Sequence, residues 1–158
     1  RRGISVKRAL LGLIVVITAV FVAFFGMGMY SETGSAPGLS NGKLAPCPTK
    51  PNCVSSESAP SDKHAIEALP ITTAMGKEPL LKIREVIELL GGDVNYSDDK
   101  YMAATFTSDL FRFVDDIEFR VDQSSGSLHV RSASRVGYSD LDANRKRVEQ
   151  IRELLNAN

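Results

Sequence analysis

The sequence predicts an α+β domain, a small antiparallel sheet of about four strands packed against two helices, preceded by one N-terminal transmembrane helix. Three observations lead there. Residues 9–30 carry no charged side chain. Residues 115–134 alternate apolar and charged side chains with the period of two that a half-buried strand requires. On both sides of that stretch apolar residues recur at three- and four-residue steps, the period of an amphipathic helix. Length sets the scale: 158 residues less a membrane segment leave one domain with a modest core, so a two-domain enzyme is not expected.

The first element is the run from Ala9 to Tyr30. Its 22 residues form about 33 Å of helix, enough to cross a hydrocarbon core of about 30 Å. Arg1, Arg2, Lys7 and Arg8 precede it, and Glu32 is the first charge after it. By the positive-inside rule residues 1–8 form a cytoplasmic basic flank. Everything beyond Ser31 then lies on the other side, in a bacterial periplasm or a thylakoid lumen. A cleaved signal peptide is the competing reading, but its apolar region is usually only about 7–15 residues long and ends in small residues. Phe24-Phe25-Gly26-Met27-Gly28-Met29-Tyr30 fits that poorly, and a retained anchor is favoured. Ala19 and Ala23 sit at the spacing that lets helices approach in lipid. Of the 19 basic and 19 acidic residues, the four cations before the anchor leave 15 against 19 for residues 31–158. That mildly acidic balance argues against nucleic acid as a partner.

Residues 31–43 are rich in Ser, Gly, Pro and Asn and read as a flexible tether, with the exported domain at 44–158. Cys47 and Cys53 frame Cys47-Pro48-Thr49-Lys50-Pro51-Asn52-Cys53. Two cysteines are too few for a structural zinc site without other ligands, and no metal is expected. Cys-x-x-Cys-His, the haem attachment motif, does not occur, and no cofactor is expected. A disulfide fixing local geometry is the simplest account in an oxidising compartment; reduced cysteines or a redox pair are the alternatives.

Helical spacing begins after Lys77, with Leu80, Ile83, Val86, Ile87 and Leu90 on one face, Pro79 in the first turn, and Gly91-Gly92 as terminator. Residues 93–97 and 101–107 read as strands about an Asp98-Asp99-Lys100 turn. The clearest hairpin follows, with Ile117, Phe119 and Val121 alternating with Asp116, Glu118, Arg120 and Asp122, then Leu128 and Val130 alternating with His129 and Arg131. A two-residue Ser125-Gly126 turn would set Arg120 opposite Arg131, an unfavourable pairing of like charges. A Gln123–Gly126 loop instead pairs Asp122 with Ser127, Val121 with Leu128, Phe119 with Val130 and Glu118 with Arg131, and puts Gly126 in the left-handed position. In the last helix Ser139 is the expected N-cap, Asp142 lies three residues on, and Val148, Ile151, Leu154 and Leu155 form the buried face.

Four segments then carry a resemblance: Cys47-Pro48-x-x-Pro51-Asn52-Cys53-Val54-Ser55-Ser56; Phe113-Val114-Asp115-Asp116-Ile117-Glu118-Phe119; Arg131-Ser132-Ala133-Ser134-Arg135-Val136-Gly137-Tyr138-Ser139-Asp140; and Asn144-Arg145-x-Arg147-Val148-Glu149. Their co-occurrence in order, over roughly Leu44 to Leu155, resembles the domain of unknown function 1499 family. The resemblance implies membrane-associated or exported proteins of bacteria and plastids and supplies no activity or catalytic residue.

Two readings of these motifs stand side by side. Asp116 and Glu118 share one strand face and Arg131 lies across from Glu118, so the polar face can be a lattice of solvated ion pairs, each contributing about 0–1 kcal/mol. Alternatively Asp116, Glu118, Arg131, Arg135, Asn144 and Arg145 converge into a site for an anionic group or a partner subunit. Catalysis has less support, because Asp115 and Asp116 point to opposite faces and His64 and His129 are the only histidines. His129 reads as a surface partner of Arg120 or Glu118. The favoured function is an accessory subunit held in the bilayer by residues 9–30 and docked onto a larger membrane-protein complex; a free-standing ligand-binding or enzymatic domain is the alternative.

Overall fold

The computed structural model describes residues 5–157, so Arg1 and Arg2 of the basic flank lie outside the described residues. The apolar run lies within helix α1 (Val6–Glu32). Its most apolar 18-residue stretch has a mean hydropathy of 2.8, so this helix is long and apolar enough to cross a membrane, a criterion that a signal sequence also meets. Gly28 and Ser31 are its only buried members among the described residues.

A six-stranded antiparallel sheet follows, rather than the expected four. Strands β5 (Asp93–Ser97), β6 (Tyr101–Thr107), β7 (Val114–Asp122) and β8 (Ser127–Ser134) were legible in the sequence. The two additional strands are β3 (Cys53–Ser55) and β4 (Leu69–Pro70), both laid on the outer edge of β8 to give the order β3-β8-β7-β6-β5 with β4 beside β8. Strands of two or three residues are too short to show an alternation, and only the unpaired edge of β8 organises them.

The β7–β8 register follows the charge argument: Glu118 opposes Arg131, Phe119 opposes Val130, Val121 opposes Leu128 and Asp122 opposes Ser127. Gly126 takes the left-handed conformation at φ 63°. Asp122 closes this turn, its Oδ1 accepting from the Ser124 hydroxyl at 2.6 Å and the Ser124 amide at 3.0 Å. These donors, the hydroxyl first, hold its carboxyl down at about 2. A depressed carboxylate stabilises the fold above its ordinary value of about 4 and loses that contribution as pH falls toward about 2. Replacing Asp122 by Asn should therefore flatten the fall in unfolding midpoint across that window, which an acid series of thermal melts would measure.

Helices α2 (Pro79–Leu89) and α3 (Ala143–Asn156) cover one sheet face. Pro79 stands in the first turn of α2, and Gly91, at φ 81°, ends it. Leu80, Ile83, Val86 and Ile87 of α2 and Val148 and Ile151 of α3 close over Met102, Ala104, Ile117, Phe119, Leu128 and Val130. Each fully buried side chain of this kind contributes roughly 1.5–3 kcal/mol. The α3 cap differs from expectation. Asp142 is the N-cap residue, in a left-handed conformation, and makes no side-chain cap bond. Asp140 supplies the acceptors instead, taking the Asn144 amide at 2.9 Å and the Asp142 amide at 3.2 Å. Ser139, the expected cap, accepts only from the Leu141 amide at 3.3 Å.

The supposed tether is folded. Strands β1 (Leu39–Ser40) and β2 (Lys43–Leu44) form a hairpin about Asn41-Gly42, both at positive φ, the combination that a tight type I′ turn selects. Ala36 and Leu44 pack on Tyr101 and Ala103 of the sheet face opposite the helices. The Cys47–Cys53 disulfide is formed, with Cα atoms 5.7 Å apart, and it places Cys53 and Val54 against Ala133 and Ser132 of β8.

Candidate functional site

Three of the charges of β7 and β8 that alternate away from the core, Asp116, Glu118 and Arg131, do not face water. Covered by residues 31–44, Glu118 is fully buried, Asp116 is 5 % exposed and Arg131 is 7 % exposed. Arg131 Nη1 donates to Glu118 Oε2 at 2.9 Å, while the Tyr101 hydroxyl and the Gly38 amide donate to Glu118 Oε1 at 2.6 and 2.9 Å. Burial, and then the hydrogen bond to this carboxylate, push the Tyr101 phenol far above its ordinary value. Tyr101 therefore stays a donor throughout the physiological range. The solvated ion-pair lattice expected for this face is replaced by a desolvated network, in which each charge depends on its partner.

Arg135, just beyond β8, joins this network to α1. Its Nε and Nη2 bind both oxygens of Asp116, at 2.9 and 2.7 Å. Its Nη1 donates to the carbonyls of Ser31 at 3.0 Å and Glu32 at 3.5 Å. Those carbonyls belong to the last turn of α1, where the helix leaves acceptors unmatched and its dipole is negative, so a guanidinium is favoured there. Ser31 adds its own bonds, with Oγ donating to the Gly28 carbonyl at 2.6 Å and accepting the Val114 amide at 3.1 Å. Arg112 reaches Glu32 at 3.1 Å. At Gly28 the domain backbone comes so close that a Cβ would lie 1.6 Å from the Phe111 carbonyl oxygen.

Asn144 and Arg145 belong elsewhere. Asn144, fully buried on the α3 side, shares the two hydrogens of its Nδ2 among Asp140 Oδ2 at 2.7 Å, Ser134 Oγ at 3.0 Å and the Asn52 carbonyl at 3.2 Å. It accepts from Ser132 Oγ and from Arg147 at 2.8 Å. Arg147 also pairs with Asp115 at 2.7 Å and lies over the Phe106 ring. Asp115 and Asp116 thus face opposite sides of the sheet, as strand geometry requires. Arg145 ties the 63–65 loop to α3 through the carbonyls of Ala65 at 2.9 Å and Lys63 at 3.0 Å. Asn144→Ala is expected to cost about 1–3 kcal/mol, because it strands buried partners; a urea titration of the full chain in detergent would measure it.

The six residues read from the sequence therefore separate into three groups. Asp116 with Arg135 clasps α1, Glu118 with Arg131 locks the sheet, and Asn144 and Arg145 join α3 to the loops. The partners that sequence reasoning missed are Ser31, Gly38, Tyr101, Arg112, Asp115 and Arg147. Arg147 and Asp115 lie inside the quoted motifs, whereas Tyr101 and Ser31 carry no local signal.

The closest approach to a catalytic array is Ser56, His129 and Asp122. Ser56 Oγ lies 3.1 Å from His129 Nδ1 and also accepts the Val130 amide at 2.9 Å. His129 Nε2 stands 3.7 Å from Asp122, beyond hydrogen-bonding distance, so Asp122 does not hold the imidazole as the acid of a triad does. His129 lies directly opposite Arg120, one of the two partners the sequence left open. His64 is buried with Nδ1 at 2.8 Å from the Cys53 carbonyl, to which it must donate. Among the described residues no group of three or more His, Cys, Asp or Glu side chains is placed to hold a metal ion.

Two grooves flank the clasp. One, of about 670 Å³, runs over Ala103, Thr105 and Thr107 between Tyr96, Arg112 and Arg135. The other, of about 630 Å³, lies between Phe24 and Met27 of α1 and Phe106, Phe113, Val136 and Tyr138 of the domain.

Fold and site together define a class: an α+β domain with a helix-covered face and a polar-locked face, clasped at one end to the close of an apolar helix. The family model described as protein of unknown function (DUF1499) matches residues 43–155, and the chain belongs to that family. No curated protein and no solved structure matches it.

Proposed function

We propose that the chain is a non-catalytic accessory subunit of a membrane-protein complex. In this reading α1 spans the bilayer, residues 1–8 face the cytoplasm, and the domain lies on the opposite side, in a periplasm or a thylakoid lumen. One observation carries the proposal: the strongest charges of the domain are spent internally, and one of them, Arg135, is spent on holding the end of α1. Such a molecule presents a fixed surface at a fixed height above the membrane, which suits a subunit that fills or braces an assembly. An enzyme would instead hold perturbed, solvent-reachable groups in a cleft. Blue-native electrophoresis of the source membranes in mild detergent, with mass spectrometry of the band, tests the proposal. Co-migration with a large complex is expected. Migration at monomer mass would contradict the proposal and turn attention to the groove beside Arg112 and Arg135.

A further inference from the structure

We infer that the β6–β7 loop, residues 108–113, is a second membrane contact that enters the outer leaflet beside α1, with Leu110 and Phe111 as its apolar tip. This rests on the reading of α1 as a bilayer span and adds to it a fixed depth and orientation of the domain. The loop descends along the helix. Arg112 pairs with Glu32 at the end of α1, the Phe111 carbonyl abuts Gly28, and the Phe111 ring lies 5.1 Å from Phe24, 5.7 Å from Phe21 and 6.4 Å from Phe25. Phe113 stacks against Phe111 and reaches Phe24 at 6.1 Å. Leu110 is 61 % exposed, with no protein surface to cover it fully.

Helix geometry fixes the depth. A hydrocarbon core of about 30 Å takes about 20 helical residues, which, counted from Ala9 after the cationic Lys7-Arg8, ends at Gly28. The Phe111 ring, level with Phe24, then lies about 6 Å inside that boundary. Keeping the whole aromatic cluster out of the hydrocarbon would end the core before Phe21. Only residues 9–20 would then remain to span it, about 18 Å of helix.

The loop is also braced at its base. Its two ends are tied together: Ser108 N donates to the Phe113 carbonyl at 2.8 Å, Arg112 N to the Ser108 carbonyl at 3.1 Å, and Phe113 N to Ser108 Oγ at 2.9 Å. Asp109 and Arg112 are the loop's two opposite charges, and Arg112 is held at the level of the α1 terminus, where a long side chain can keep its charge among the headgroups. The loop needs no anionic lipid, so a zwitterionic bilayer suffices.

The test uses the full chain in phosphatidylcholine nanodiscs, with Leu110→Cys, Val16→Cys and Gln123→Cys variants each labelled with a bimane fluorophore. Cys47 and Cys53 are already paired, so each label has one target. Lipids carrying a spin label near the headgroup or near the chain end then report depth by loss of fluorescence. The inference predicts that Leu110→Cys is quenched mainly by the shallow label, Val16→Cys mainly by the deep one, and Gln123→Cys, at the far turn of β7, by neither. If Leu110→Cys behaves as Gln123→Cys while Val16→Cys is quenched, the loop contact is refuted and the span stands. If Val16→Cys escapes quenching, the span itself is refuted and the loop contact falls with it.

Discussion

Replacing Arg131 by Met is expected to cost about 3–5 kcal/mol, because it leaves Glu118 fully buried and short of its cation. The Tyr101 hydroxyl and the Gly38 amide remain on Glu118 Oε1, but two neutral dipoles do not replace a guanidinium. The loss should also spread. Gly38 leads into the β1–β2 hairpin, so a disturbed Glu118 loosens the cover over Ala103 and Tyr101. Denaturant titration of the full chain in detergent would show the midpoint shift. Adding Glu118→Gln to Arg131→Met removes the orphaned charge and should recover part of the stability. A single substitution as mild as a surface pair, about 0–1 kcal/mol, would mean that the network is solvated after all.

Gly28→Val is expected to open the junction between α1 and the domain. The added Cβ would lie 1.6 Å from the Phe111 oxygen and 2.8 Å from its carbonyl carbon, and backbone atoms cannot swing aside as a side-chain tip can. Overpacking of this kind costs about 1–3 kcal/mol. Here it should appear as separation, with the Val114 amide, now bonded to Ser31 Oγ, exchanging its hydrogen faster. Gly26 offers the control. Nothing lies within 4 Å of a Cβ there, so Gly26→Val, two residues away in the same helix, should leave Val114 exchange unchanged. Equal behaviour of the two variants would show that the close approach at Gly28 is not what holds the helix.

Local physics made much of the architecture readable. Pro79 and Gly91 bound α2 because one suits a first turn and the other a left-handed terminus. The β7–β8 register followed from keeping Arg120 away from Arg131, and the disulfide was the simplest of the three states left open for Cys47 and Cys53. What escaped the sequence depends on tertiary context. Strands β3 and β4 exist because β8 has a free edge. The Asn41-Gly42 pair was a hairpin signal inside a segment whose composition suggested a tether. The alternating charges of β7 looked solvated because the groups that desolvate them, Gly38 and Tyr101, lie 80 and 17 residues away. The quoted motifs did enclose Asp116, Glu118, Arg131, Arg135 and Asn144, yet strand and helix periodicity alone could not say that these serve three different junctions. Least visible was the role of Arg135, whose partner carbonyls belong to a helix that reads as a separate segment.

The clasp of Arg135, Ser31 and Gly28 on the end of α1 fixes the distance between helix and domain, and spin labels would measure that distance. Labels at Val22→Cys, on an exposed face of α1, and Asp99→Cys, on the exposed β5–β6 turn, would be measured by pulsed dipolar spectroscopy with the full chain in nanodiscs. A clasped junction predicts one narrow distance distribution, broadened by Gly28→Val and unchanged by Gly26→Val. A broad distribution in the unsubstituted background would contradict it, and the domain would then swing freely on its helix.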